Sequence, residues 1–301
     1  MSSKKASERH VIPRSPIIYF DGLPGLGKST AGVSLASQDE ELVFIAENNP
    51  SPAVYPEVVG LGGVDAARWY MRTEVKRSRF AREVTRTYAV RAVCDKSVLA
   101  TLAFVYAAAR VGWEPASTYD LVRSEYQRDV RRYLPADGTT VLFSGSVSLS
   151  LTRRARKSDR AVRPLWFDPA FLGAQTEFFQ QEAPNLCVNN LVNLDAAGNR
   201  EALLQRAAEL MHPARASRDI RQQVPDGPEA GRIIAELIDS YVSAHGGTAV
   251  FGNRVGPPFR QFGLLNQAFE RHLLFIDDGG QVAVQRDAWD DSEPTDLGLD
   301  K

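Results

Sequence analysis

Cysteine is scarce: Cys94 and Cys187 are the only two in 301 residues, and both stand in apolar company. Two such thiols argue against a disulfide framework and against a cysteine-based metal site, and are expected as buried thiols of a cytoplasmic protein. An excess of either charge is also missing. The 36 Lys and Arg face 37 Asp and Glu, for a formal net charge of -1. That balance gives no global reason to expect nucleic acid or an anionic membrane as a partner. No stretch reaches the run of about 18 apolar residues that a spanning helix needs. The basic start, MSSKKASERHVIPRSP, has no apolar core of signal-peptide length. A soluble, cytoplasmic protein is expected. Low-complexity blocks and repeats of fixed period are absent as well.

What is present is ordinary globular material, with 44% hydrophobic and 24% charged residues. The length suits one large domain, or a medium domain with a smaller appendage, and either can bury a sizeable core. Strand-like runs at 17–20, 42–46, 89–94, 140–143 and 187–194 alternate with helical stretches at 29–37, 64–88, 97–110, 117–133, 148–156 and 200–211. This alternation predicts an α/β fold, a parallel sheet flanked by helices. The rhythm ends near residue 212. We expect a flexible basic N-terminus at 1–14, a main domain at 15–211, a Pro- and Gly-containing linker at 212–229, a small β-rich accessory module at 230–287 and a disordered acidic tail at 288–301.

The first strand runs into Gly22-Leu23-Pro24-Gly25-Leu26-Gly27-Lys28-Ser29, which fits G-x-x-x-x-G-K-[ST] at every required position. Glycines there let backbone N–H groups turn inward around phosphates, and the following helix adds its positive end. Lys28 would reach the β- and γ-phosphates, Ser29 would ligate Mg²⁺, and Thr30 begins the helix. A nucleoside triphosphate, ATP by preference, is therefore expected with magnesium as cofactor.

Around that loop the chain resembles the thymidylate kinases and deoxynucleoside kinases. Asp21-Gly22 resembles the acidic-Gly start of their loop, and VCDKSVLATLAF their Asp/Glu-Arg-Ser/Tyr segment. TVLFSGSVSLSLTRRARKSDR looks like their fourth strand, next helix and Arg-rich lid, and LVNLDAAGNREALLQRAAEL like their closing strand and terminal helix. The resemblance covers about residues 15 to 211 and keeps the family's order, although only the loop is individually specific. It implies a P-loop kinase whose acceptor is a nucleoside or a nucleoside monophosphate.

Phosphoryl transfer needs in-line positioning, charge neutralisation and a group that orients or deprotonates the attacking hydroxyl. Asp95 follows an apolar strand and is expected at its C-terminal end, where open α/β sheets collect ligands. There it could hold magnesium through water or touch the acceptor; its other reading is a cap for the next helix. Lys96 stands where the family has Arg, a loss of bidentate recognition. Glu47 resembles the family's acceptor-contacting Glu-Pro segment, with its Pro displaced, and could take or position the hydroxyl proton. The lid resemblance points to Arg153, Arg156 and Arg160 as cations that close over the donor, against a solvated basic helix end. From the basic run RTEVKRSRFAREVTR, Arg79 and Arg82 are the candidates for an acceptor phosphate. Trp69, Tyr70 and Phe104 could stack on a base, or belong to the core.

The segment YVSAHGGTAVFGNRVGPPFRQFGLLNQAFERHLLFI resembles short Gly/Phe-rich modules appended to bacterial proteins, some related to Leu-Gly-Phe-Pro repeats. Its His245 and His272 lack a carboxylate constellation, so packing, homodimerisation or partner binding is the expected role; it could also lie over the acceptor cleft. Two further readings stay open. One is a kinase for another hydroxyl, on an antibiotic, a sugar or a modified base in DNA; the other is a non-catalytic NTP-dependent regulator.

Overall fold

The computed structural model describes residues 15–39, 41–47, 60–155, 164–211, 227–255, 258–261, 264–269, 272–276 and 281–285. The expected N-terminal arm, most of the linker and the acidic tail lie outside them. In chain order the first half runs β1 (Ile17–Gly22), α1 (Lys28–Ala36), β2 (Leu42–Ile45), α2 (Gly63–Tyr88), β3 (Arg91–Asp95), α3 (Val98–Arg110) and α4 (Ala116–Glu125). It continues with β4 (Thr139–Ser144), α5 (Val147–Arg154), α6 (Pro169–Gln181), α7 (Ala183–Leu186), β5 (Asn190–Asp195) and α8 (Arg200–Met211). Among the described residues no helix is long and apolar enough to cross a membrane.

These strands form a parallel sheet in the order β2-β3-β1-β4-β5, with β1 in the centre. Parallel strands covered on both faces read as unbroken apolar runs, and every residue of β1 is buried. Alternate side chains serve opposite faces. Ile18 and Phe20 enter the larger core with α1 and α8, while Ile17 and Tyr19 meet Ala81 and Val84 of α2. The sheet order brings the C-terminal ends of β2, β3, β1 and β4 side by side, with α1 rising directly from β1.

Two expectations need correction. The helix expected over 117–133 is regular only as α4; a wider π turn follows at Tyr126–Val130 and a 3-10 turn at Arg131–Tyr133. There the Tyr126 hydroxyl donates to the Leu186 carbonyl at 2.7 Å, a tertiary bond that local periodicity does not report. The strand expected from 187 begins at Asn190, because α7 runs to Leu186. α6 was not expected at all. It carries a legible start, with Asp168 capping the Ala170 and Phe171 amides and Pro169 at the first position.

The C-terminal unit is α9 (Gly227–Ala244), α10 (Gly247–Phe251) and four antiparallel strands in the order β6-β7-β8-β9. The strands are β6 (Phe259–Gln261), β7 (Leu264–Ala268), β8 (Leu273–Ile276) and β9 (Val282–Val284). α9 starts inside the expected linker. Ile238, Val242, Phe251, Leu265 and Leu274 make a core of their own, but Val255, Ala268 and Leu273 join the core of the main sheet. His245 stacks on Tyr241 and shares a 2.8 Å hydrogen bond with its carbonyl, and His272 is buried with its ring against Phe251. Among the described residues no group of three metal-binding side chains occurs.

Candidate phosphate-transfer site

β1 ends at Gly22 with φ +122°, and a Cβ there would run into the Phe143 carbonyl of β4. Only glycine lets the chain leave the sheet at this point. Gly25, with φ +79°, lets the loop pass under α5; a Cβ there would lie 2.8 Å from Arg154 Cγ. Ser150 of α5 donates its hydroxyl to the Pro24 carbonyl at 2.6 Å. Gly27, at φ +94°, turns the chain into α1, whose first residues are Lys28, Ser29 and Thr30. The amides of that first turn have no carbonyl four residues back within the helix, so they and the helix dipole face the loop.

Lys28 is 5% exposed and folds over the loop, donating to the Gly22 and Leu23 carbonyls at 2.9 and 2.7 Å. Burial, and then the nearby Lys96 ammonium, lower its pKa to about 8, against the pull of Asp95, Asp21 and Glu47. On β3, Asp95 pairs in register with Phe20 and accepts a side-chain bond from Ser29. Its Oδ1 is buried with no hydrogen-bond partner. Burial, then the Glu47 charge, push this carboxyl above the usual range. A buried carboxylate oxygen without a partner beside a serine hydroxyl fits a small hard cation. The alternative role of helix cap is filled by Ser97, whose Oγ accepts from Leu99 N at 3.1 Å.

Glu47 follows β2 and pairs with Lys96, which follows Asp95. Lys96 holds a left-handed backbone, φ +66°, anchored by its amide to Phe20 O at 2.9 Å. That turn sends its ammonium across the strand ends to Glu47 and over the Trp166 ring, 5.0 Å from the centroid. The structure therefore brings Lys28, Ser29, Glu47, Asp95 and Lys96 together. Beside them lies a shallow cleft whose lining includes Gly22, Pro24, Lys96, Phe104, Trp166 and Phe179.

The other candidates are not part of that cluster of charges. Arg153 braces the loop, donating to Leu26 O at 3.2 Å and to Ala196 and Gly198 carbonyls at 3.0 and 2.7 Å. Arg79 lies over the Tyr133 ring, Arg82 is exposed, and Trp69 meets Tyr70 edge to face on α2. Arg156 and Arg160 fall outside the described residues.

Three further residues at the site were not singled out as site residues, although Asp21 stands in the acidic-Gly start of the loop and Arg154 among the cations of the lid segment. Asp21 is fully buried; its Oδ2 accepts from the Ser97 amide and hydroxyl at 3.0 and 2.5 Å, and burial raises its pKa to about 6. Its position just before the loop was the signal. Arg77, 1% exposed, donates to the carbonyls of Ala46, Asp95 and Lys96 at 3.1, 2.7 and 2.7 Å and pairs with Glu74 at 2.5 Å. It ties α2 to the ends of β2 and β3. Arg154 is buried against Trp166 and Phe167, with its guanidinium carbon 5.0 and 4.6 Å from their ring centroids.

A G-x-x-x-x-G-K-S loop between the central strand of a parallel sheet and the helix that follows defines a P-loop protein. No family model matches the chain, and no curated protein matches it. Solved structures similar to it include deoxyadenosine kinase from M. mycoides with the products dCMP and a flexible dCDP bound. That pair has a TM-score of 0.47 and 12% identity, over 63% of this chain and 95% of the other. The same enzyme with bound dATP gives a TM-score of 0.45 at 12% identity, and with bound dCTP 0.41 at 13%, over the same shares.

Proposed function

We propose that the protein is an ATP- and Mg²⁺-dependent kinase that phosphorylates a nucleoside or a nucleoside monophosphate. The observation that carries this reading is the meeting of the phosphate loop with Asp95 and the Glu47–Lys96 pair at one end of the sheet, beside an aromatic-walled cleft. Nucleotide binding and regulation account for the loop and Asp95; the second carboxylate, Glu47, held by Lys96 beside a cleft, suits transfer to an acceptor.

In this reading the loop amides and Lys28 hold the β- and γ-phosphates, and Ser29 and Asp95 would hold Mg²⁺, which supplies charge neutralisation on the phosphate oxygens. Glu47 accepts, or orients, the proton of an attacking hydroxyl, and Lys96 fixes the direction of that carboxylate. The acceptor oxygen forms its bond to the γ-phosphorus as the bond to the β,γ-bridging oxygen breaks, leaving ADP. Where the acceptor is a monophosphate, its phosphate oxygen attacks directly with no proton to remove, and Glu47 positions the acceptor through a sugar hydroxyl. Arg153 keeps the loop against α5 and the β5–α8 turn, and Arg156 and Arg160 would cover the donor. Phe104, Trp166 and Phe179 offer flat apolar surface to a base.

The test is ADP formation by the purified protein with MgATP and a panel of nucleosides and nucleoside monophosphates, extended to an aminoglycoside, simple sugars and duplex DNA with hydroxymethylated bases. One nucleoside or nucleotide should drive turnover. Lys28→Ala should lower it by roughly 100-fold or more, as the loss of a charge-stabilising donor does. Turnover only with a non-nucleotide acceptor, or ADP release indifferent to every acceptor, would overturn the reading.

A further inference from the structure

β2 is the edge strand of the main sheet, bonded on one side to β3 alone. In a parallel pair, successive residues direct their N–H and C=O groups alternately to the two sides. Arg91 N donates to Glu41 O at 2.8 Å, so Glu41, Val43 and Ile45 face β3. The Phe44 carbonyl and the Ala46 amide therefore face away from the sheet. Both are met by one side chain from the far end of the chain. Gln285, which directly follows β9 and is 5% exposed, donates from Nε2 to Phe44 O at 3.1 Å and accepts the Ala46 amide at Oε1 at 2.8 Å. A residue of a neighbouring parallel strand opposite Ile45 would make the same two bonds. The amide of Gln285 thus acts as a one-residue strand laid on the edge.

The residue after Ala46 is Glu47. The Ala46 carbonyl is held by Arg77, and its amide by Gln285. Both groups of the peptide frame that carries the carboxylate to Lys96 are thus bound by side chains, one from α2 and one from the C-terminal unit. That unit also contributes Val255, Ala268 and Leu273 to the main core, so its approach to β2 is backed by apolar packing.

We propose that Gln285 is a positioning residue for phosphoryl transfer, acting through Ala46 on Glu47, and that the C-terminal unit thereby completes the acceptor side of the site. The proposal rests on the reading of Glu47 as the group that orients the acceptor. A carboxylate moved by a fraction of an ångström leaves ATP binding intact and loses the alignment on which transfer depends.

The experiment compares full-length wild type, Gln285→Leu, Glu47→Gln and the double variant, using MgATP and the nucleoside or monophosphate that the wild type phosphorylates. Binding of a fluorescent ATP analogue and thermal melting accompany the kinetics. Gln285→Leu should lower kcat by about tenfold or more, with KM for ATP and analogue binding unchanged. In the double variant the Gln285 change should add nothing to the loss from Glu47→Gln, since both remove one function. Wild-type kcat in Gln285→Leu, or losses that multiply in the double variant, would overturn the role of Gln285 and leave the proposed function standing. Absence of turnover by the wild type with every acceptor overturns both. If Gln285→Leu does not fold, Gln285→Glu, which keeps the bond from Ala46 and loses the one to Phe44, serves in its place under the same criteria.

Discussion

At the scale of single residues, the site is a set of charges kept out of water. Asp21 shows the cost. Its folded pKa, raised by burial to about 6, lies above the ordinary carboxylate value. Its contribution therefore favours the fold at low pH and is lost as pH climbs through about 6. In melting curves without nucleotide, the Tm of Asp21→Asn minus that of wild type should move in the variant's favour as pH rises from about 4 to 7. A difference independent of pH would refute the assignment. Lys28 behaves in the opposite sense. It titrates near 8, so affinity for an ATP analogue should weaken as pH rises past that value, whereas Lys28→Arg should bind evenly across the range. The phosphate loop was legible because its residues are contiguous. Asp21 was legible as the acidic start of that loop but not as a buried acceptor, since its donor, Ser97, is 76 positions away. Among the cations of α2, nothing in a one-dimensional string separates Arg77, which points at the strand ends, from Arg79 and Arg82, which do not.

Between elements, Arg77 is the clearest joint. It binds three carbonyls at the ends of β2 and β3 and pairs with a buried Glu74. Replacing it with Met should destabilise the protein by about 3–5 kcal/mol in urea unfolding, the usual penalty for leaving a buried charge alone. Changing Glu74 to Met as well should recover part of that loss. A penalty below about 1 kcal/mol would mean that the guanidinium does not hold α2 to the sheet. Sheet and helices were readable where apolar periodicity was long, as in α2 and α8, and where a turn signal preceded the helix, as in α1 and α3. The reading failed where tertiary contact overrides local pattern. The π turn after α4 depends on a bond to Leu186, and α6 faces α3 with large rings, Phe171 beside Phe104 and Phe178 beside Tyr106, whose spacing reads as generic core.

For the whole molecule, the sequence separates a main sheet from a C-terminal appendage, and the packing joins them. A chain ending at Met211 would lose Val255, Ala268 and Leu273 from the main core. Burying a Val or Leu side chain stabilises by about 1.5–3 kcal/mol, so the shortened protein should melt markedly lower than the full chain in calorimetry; an unchanged Tm would show that the appendage is not part of the core. Gln285 could not have been found by inspection, because a glutamine after a short strand carries no pattern and its partners lie 239 and 241 positions away. The cap it places on β2 also bears on how copies of the protein treat one another. An unbonded strand edge is a template for pairing with a second chain. With Gln285 in place, the Phe44 carbonyl and the Ala46 amide are not available to a neighbour, and the sheet ends within its own molecule; without the side chain, concentrated solutions should turn toward self-association.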